Sequence, residues 1–270
     1  MKKAVIIIAR NEGAWPLLTS ENFKKNFSDA SIIGVDDGGE NEWADYVDII
    51  KTKGGIGVGM CRRAGFERAK EKGFDTAIIT DGHVFYEIGC IKKAWELAEK
   101  GHIVNSTTRS LTTQQNKGNG RYHYLPNHKT KNVTTVEGVE VGLIGGVYFM
   151  RVDVALEIIG PTPSHGYNEQ IMTCGAFVMG HPIYAFPSMV FSHLYKQEFN
   201  YSVSHSGQSR NKLLLDWWFF GGRKPSNASN AEINYYRFVQ DNRKLNKYEL
   251  RNKILEMNLN LQEHASNKRI

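Results

Sequence analysis

The sequence predicts an α/β fold built on a mostly parallel central sheet with helices on both faces. Three features predict it: short apolar runs, segments of helical spacing that alternate with those runs, and polar or acidic residues where the runs end. The run 4–9 (AVIIIA) is a buried parallel strand that meets the polar ARNEG. Residues 14–27 have helical spacing, and Ser31–Val35 form a second strand running into Asp36-Asp37-Gly38-Gly39. Val47–Lys51 give a third strand, and the helix over 59–72 stops at Gly73. Thr76–Thr80 is a fourth strand closed by Asp81-Gly82-His83. A helix near 91–100 stops at Gly101, and a strand follows over His102–Ser106. Residues 107–135 turn polar and form a long loop or hairpin of the kind that serves as a lid. Apolar character returns over 139–151 around Gly145-Gly146, and again over 183–192. Residues 221–231 (GGRKPSNASNA) read as a linker, and 232–263 as one or two helices.

The bulk properties set the frame. The chain has 270 residues, 41% hydrophobic and 23% charged, which is ordinary globular composition and excludes general disorder. Cys61, Cys90 and Cys174 are odd in number and lack metal-finger spacing, so a reducing, cytoplasmic setting is expected. No apolar stretch is long enough to span a membrane, and the N-terminal apolar run is too short for a signal peptide. The net charge is +6, and from Arg210 onward twelve Lys/Arg stand against six Asp/Glu. That basic C-terminal segment either attracts a polyanion or is a solvated helical extension.

Ligands of such sheets collect at the carboxyl ends of strands, where the polar residues stand. In ITDGHV, residues 79–84, a strand delivers a carboxylate and an imidazole two residues apart, so Asp81 and His83 can grip one divalent cation. A mixed oxygen and nitrogen site suits Mn2+ (or Mg2+) better than a zinc cage. Asp36 and Asp37 either hold a ribose or base edge or simply close an Asp-Gly turn. Arg62, beside Arg63, is a candidate for a diphosphate. His193, ending the 183–192 strand, reads by itself as a structural group more than as a ligand, and Glu169, in GYNEQ, reads either as a helix N-terminal charge or as a site carboxylate.

Taken in order, these segments resemble the catalytic domain of the polypeptide N-acetylgalactosaminyltransferases, within the GT-A fold glycosyltransferases. AVIIIARNEGAW is similar to that family's opening strand, with Asn11, Glu12 and Trp15 in its Asn-Glu-Ala-Trp pattern and Gly13 as an extra residue. VDDGGE resembles the Val-Asp-Asp segment that meets the nucleotide, and CRRAGFERAKEKG resembles the wider group's Ala-Arg-x-x-Gly helix. ITDGHV matches the Asp-x-His metal motif, and LIGGVYFMRVDVALEIIG resembles the Gly-Gly segment lining the donor sugar. Residues 166–196 are similar to a Gly-Gly-Glu-Asn helix followed by a strand ending in His, and RNKLLLDWW resembles the stretch after the flexible loop.

The likeness covers about residues 1–220 as one GT-A catalytic domain, with 221–270 as a basic helical extension without counterpart. It implies a metal held by Asp81, His83 and His193, with Asp81, His83 and Glu169 as the catalytic group. It implies Ala9, Arg10, Asn11, Glu12, Asp36, Asp37, Arg62, Gly145 and Gly146 around a UDP-sugar donor. The implied reaction is transfer to a hydroxyl with retention, with residues 196–210, including Tyr201 and His205, closing over the donor. The motif at 166–169 is reduced to Gly-Tyr-Asn-Glu, which leaves the sugar open. The missing anchor and disulfides point to a bacterial or viral relative. A protein Ser or Thr is the acceptor by resemblance, while the basic C-terminus also permits a hydroxylated base in DNA, and a glycan is a third choice. Two rivals are a nucleotidyltransferase acting on sugar phosphates and a non-catalytic nucleotide-sugar or nucleic-acid binding protein.

Overall fold

The structure, a computed structural model, describes residues 1–125, 127–195 and 205–266. The elements in chain order begin with β1 (Lys3–Ala9), α1 (Trp15–Asn26), β2 (Ala30–Asp36), β3 (Asp48–Lys51), α2 (Val58–Glu71) and β4 (Thr76–Asp81). Then come β5 (Val84–Ile88), α3 (Ile91–Glu99), β6 (Ile103–Ser110), β7 (Asn116–Gly118), β8 (Gly120–Tyr124) and β9 (Lys129–Val133). The chain continues through β10 (Val147–Arg151), α4 (Val152–Ile158), α5 (Asn168–Met179) and β11 (Ile183–His193). Three helices close it: α6 (His205–Phe220), α7 (Asn230–Asn242) and α8 (Lys247–Ser266).

The main sheet runs β3-β2-β1-β4-β10-β6-β11-β5, with β7 paired to β6. Its first half is wholly parallel, and β6 with β11 adds a second long parallel ladder. β10 enters antiparallel between β4 and β6, so the sheet is largely parallel but mixed. The alternation of β1 shows why both faces are covered. Ala4, Ile6 and Ile8 join one apolar cluster, and Val5 and Ile7 join the other. The second cluster lies under α1 and α3 through Phe23, Ala94, Trp95 and Ala98. The first takes in α2, α4 and α5, then α6 to α8 stacked beyond. Ile171 to Met179 of α5 are all buried, as a helix apolar on every side requires.

The helices after residue 221 are not free of the rest. Leu250, Ile254, Met257 and Leu261, at helical spacing on α8, are buried in the same cluster as α5 and α6. α7 starts with a capping box, Ser229 and Glu232, and Glu232 also takes Arg210 of α6 at 2.7 Å. The polar segment 107–135 is not one loose loop. It completes β6, supplies β7, and folds β8 against β9 as a small hairpin. No described helix is long and apolar enough to cross a membrane.

Candidate active site

The sheet reverses its direction of winding between β1 and β4, the position at which open α/β sheets bind ligands. A cleft of about 500 Å³ opens there at the strand ends. Register brings the carboxyl ends together: Ile8 pairs with Asp81, and Gly82 donates its N–H to the Ile8 carbonyl at 2.8 Å.

His193 arrives from a different route. β11 lies antiparallel on β5, which pairs His193 with Val84, and the Leu194 N–H donates to the His83 carbonyl at 3.1 Å. Two residues more than one hundred positions apart thus become neighbours because the strand after the Asp-x-His turn doubles back along β11. His193 Nε2 stands 3.4 Å from Asp81 Oδ2, and the two imidazoles meet edge to face at 4.7 Å. One candidate ligand atom from each of Asp81, His83 and His193 can be chosen so that all lie within 4.8 Å of one another. A cation with ligands at about 2.1 Å would hold them roughly 3 to 4 Å apart, so the widest pair has about 1 to 2 Å to close.

The donor chemistry fits a hard or borderline divalent cation, one carboxylate oxygen with two imidazole nitrogens. His83 is already oriented for it. Its Nδ1 is hydrogen-bonded to Glu12 Oε2 at 2.8 Å, with both side chains under 10% exposed, which leaves Nε2 for a ligand. Gly82 makes that bond possible, because a Cβ there would stand 2.8 Å from the Glu12 carboxylate and 2.9 Å from Ala9 Cβ. His193 has no such support: its Nδ1 is buried without a partner among the described residues, and Tyr195 packs on its ring at 4.2 Å. Burial alone would raise the Asp81 carboxyl. The His193 hydrogen bond and the Arg62 charge instead hold it well below the usual carboxylate range.

Arg62, on α2, is buried and forms an ion pair with Glu169 of α5 at 3.0 Å. Its guanidinium lies over the Tyr148 ring at 5.6 Å, and its Nε is buried without a partner among the described residues. Burial would favour a neutral Arg62, but Glu169 raises it above its ordinary value. Burial would likewise raise Glu169, yet Arg62, seconded by Arg121 and His165, holds it low. Arg63 points away, donating to the Leu156 and Ile159 carbonyls at the end of α4.

Of the residues the sequence singled out, the cleft is lined by Ala9, Arg10, Glu12, Asp37, Arg62, Asp81, His83, Gly145, Glu169 and His193. Asn11, Asp36 and Gly146 are not on its wall. Asn11 sits at φ 51° against Gly39, and Asp36 accepts from the Asn41 amide at 2.7 Å. Asp37 is the member of the acidic pair that faces the cleft, its Oδ1 bonded to Thr52 and to the Ile56 N–H. Gly146, at φ 126°, lies behind the wall near His193 Cδ2. Residues 196–204 of the expected closing loop, Tyr201 among them, lie outside the described residues, and His205 begins α6.

Sequence reasoning missed Arg121 and Asn132, which face each other across the β8–β9 hairpin and both line the cleft. It also missed Cys61, the 163–165 loop and Tyr195. Asn211 of α6 pins that loop by donating to the Ser164 and Gly166 carbonyls. The composition of 107–135, basic and without acids, was the available signal for Arg121.

No protein-family model and no curated protein matches the chain. Among solved structures it is similar to GalNAc-T7 with UDP, GalNAc and Mn2+, at 14% identity and a TM-score of 0.73, over 95% of this chain and 57% of that one. It thus spans less than two thirds of that protein's length. It is also similar to S. aureus TarS 1–349 in complex with UDP-GlcNAc, at 12% identity and a TM-score of 0.56, over 89% of this chain and 71% of that one. The same protein with UDP gives 13% identity and a TM-score of 0.54, over 96% and 71%. Likeness at such low identity speaks for architecture, and the chain has a GT-A-like glycosyltransferase fold.

Proposed function

We propose that the protein is a metal-dependent glycosyltransferase that moves a sugar from a UDP-sugar to a hydroxyl acceptor, with retention at the anomeric carbon. The observation that carries this reading is the convergence of Asp81, His83 and His193 beside a cleft at the switch point of the sheet. The resemblance of the motifs and the shared fold support it. Residues 1–220 form the transferase unit in this reading, and 221–270 a basic helical extension packed on it.

Asp81, His83 and His193 would hold Mn2+ or Mg2+, which when bound supplies Lewis-acid stabilisation of the departing nucleoside diphosphate. Glu12 fixes the His83 ring through Nδ1, which would leave Nε2 to hold the cation. Asp37, already anchored by two hydrogen bonds, holds the nucleoside end. Arg62 offers its charge to the diphosphate from the cleft wall, where burial keeps it from being screened by water. Glu169 is ionised at neutral pH because Arg62 stands beside it, so it accepts hydrogen bonds from sugar hydroxyls rather than donating a proton. Gly145 presents bare backbone to the sugar.

The test is UDP release from a panel of UDP-sugars, with chelation by EDTA and restoration by Mn2+. We expect activity to vanish with EDTA, return with Mn2+, and be lost in Asp81→Ala. Turnover untouched by both chelation and that substitution would refute the metal assignment. Pyrophosphate release from a sugar phosphate and a nucleoside triphosphate would instead identify a nucleotidyltransferase.

A further inference from the structure

Formal charge is segregated along this chain. Residues 101–136 carry five Lys/Arg and no Asp or Glu, and the residues from Arg210 onward carry twelve Lys/Arg against six Asp/Glu. Everything else carries 17 Lys/Arg against 22 Asp/Glu, so the net surplus resides in those two segments alone. The fold makes the first of them a rim of the cleft through the β8–β9 hairpin, whose Arg121 and Asn132 line it, with β7 packed beside β9. It also ties the second to that hairpin, where Asn258 of α8 bonds the backbone N–H and C=O of His123 at 3.1 and 2.9 Å.

The rim carries cations together with two partly exposed tyrosines, Tyr195 and Tyr124. Arg121 lines the cleft, and Lys117 lies over the ring of Tyr195 at 5.6 Å, with Tyr195 itself 38% exposed on the cleft wall. Lys131 is the neighbour of cleft-lining Asn132, and with Lys129 it is exposed on the other face of the hairpin, opposite Tyr122 and Tyr124. Tyr124 is 38% exposed and stacks on Tyr122 at 5.9 Å. Arg109 is paired with Glu87. Among the described residues, no ion pair joins a carboxylate to Lys117, Lys129 or Lys131, and Arg121 makes none either, though its charge reaches Glu169 on the cleft wall.

The position of this rim decides its meaning. In the strand order, β2, which leads into the proposed nucleoside contact Asp37, lies on one side of β4, which ends at Asp81, and β6 with its partner β7 lies on the other. Lys117 of β7, and the β8–β9 hairpin packed beside it with Lys129 and Lys131, therefore stand across Asp81 from the proposed nucleoside end, so these lysines serve something other than the donor's diphosphate. A neutral peptide gives no physical reason to keep 36 successive residues free of carboxylates. Cations that track phosphates, beside a partly exposed ring such as Tyr124 on which a base can stack, are what a single strand of nucleic acid requires.

We propose that the acceptor is a nucleic-acid strand, laid over the β7–β9 rim so that a hydroxyl of its sugar or of a modified base enters the cleft. The inference rests on the transferase reading above. The transfer breaks the bond from the anomeric carbon to the diphosphate oxygen and forms one to the acceptor oxygen. The acceptor proton leaves with the diphosphate.

Fluorescence anisotropy of a labelled single-stranded oligonucleotide, with the full chain in Mn2+ and UDP, tests it. We expect binding that weakens steeply between about 50 and 200 mM salt. The double variant Lys129→Ala/Lys131→Ala should bind at least about tenfold more weakly, with a salt slope flatter by about 1.4, since each single-strand phosphate contact contributes about 0.7. Calorimetric UDP binding should not change in that variant, because neither lysine lines the cleft. Salt-independent or absent oligonucleotide binding would overturn the proposal, as would oligonucleotide affinity indifferent to the two lysines, or a neutral Ser/Thr peptide that binds more tightly. Failure of the wild-type chain to bind UDP with Mn2+ would remove the donor reading instead, and the calorimetric arm reports that separately.

Discussion

Asp81, His83 and His193 at the cleft have a counterpart under the hairpin, where His123 and His128 meet Asp216. The two clusters contain the same side-chain types and comparable burial, but they spend their nitrogens differently. Beneath the hairpin the groups form a line. His123 Nε2 meets His128 Nδ1 at 2.9 Å, and His128 Nε2 meets Asp216 Oδ1 at 2.8 Å. With Asp216 accepting, His128 Nε2 must carry the proton, so His128 Nδ1 accepts from His123 Nε2–H. Every lone pair between the rings is used, and none converges on a common point. At the cleft, one imidazole nitrogen is fixed from behind by Glu12 while the facing atoms of three side chains approach one another. Composition alone does not separate a cation site from a structural relay. What separates them is whether the free lone pairs point inward to one place.

That contrast is broken most sharply at the carboxylates. Asp81→Ala should lower Mn2+-dependent UDP release by at least about a hundredfold, comparable with losing one preorganised group that stabilises transition-state charge. Saturating Mn2+ should raise the melting temperature of the wild type by ligand linkage and leave that of the variant unmoved. A Mn2+ shift that persists in Asp81→Ala would place the cation elsewhere. Next in size comes Glu12→Gln, which keeps a hydrogen-bond acceptor for His83 but removes the charge. We expect Mn2+ affinity, read by titration in the presence of UDP, to fall about ten- to a hundredfold. Unchanged affinity would mean that Glu12 does not orient the ligand.

The structural relay should respond in the opposite pattern. His128→Ala strands His123 Nε2 and Asp216 under the hairpin and should cost about 2 to 4 kcal/mol in urea unfolding. Mn2+-dependent turnover per folded molecule should stay near the wild-type value. Protonation offers a finer probe. Burial, then the neighbouring His128, pushes His123 from its ordinary 6.5 down to about 3. The unfolded chain therefore binds a proton that the native state refuses across that window. Stability from neutral His123 is fully present above pH 6.5 and is lost as pH falls towards 3, at up to about 1.4 kcal/mol per pH unit. Urea melts between pH 7 and 5 should show this slope, and His123→Gln should flatten it.

The sequence made β1, β2, β4 and the Asp-x-His turn legible because a buried parallel strand is a bare apolar run that stops where polar chemistry starts. The convergence of His193 was legible only by resemblance. Its physical cause is the β5–β11 pairing, and Val84–Ile88 is too short and too half-buried to announce itself as a strand. The choice between Asp36 and Asp37 was closed to sequence reasoning for a different reason. Neighbours on a strand point to opposite sides, and nothing in VDDGG sets the parity. Arg121 was hidden because a polar, Gly-containing stretch gives no period from which to read a hairpin. The α8 helix was visible by spacing, but only packing reveals that its apolar face belongs to the core of α5 and α6.

The smallest expected effect falls on Gly145, and its neighbour supplies the control. Gly146 has φ 126°, a conformation L side chains rarely adopt, so its lack of a side chain is explained by the backbone. Gly145 is not among the residues at positive φ, and a Cβ there would meet only Glu169 Oε1, at 3.8 Å. Neither strain nor packing explains a glycine at 145, which leaves the space before it as the reason, and that space is the cleft. Gly145→Ala should therefore fold with stability equal to the wild type or up to about 1 kcal/mol higher, since alanine restricts the unfolded chain. Gly146→Ala should be less stable than the wild type by at least that much. If the donor sugar lies against Gly145, the methyl group should raise KM for the UDP-sugar several-fold, roughly 1 kcal/mol, while leaving the affinity for UDP alone unchanged. Equal weakening of UDP and UDP-sugar would move the diphosphate to this wall, and no weakening of either would leave the wall to the acceptor.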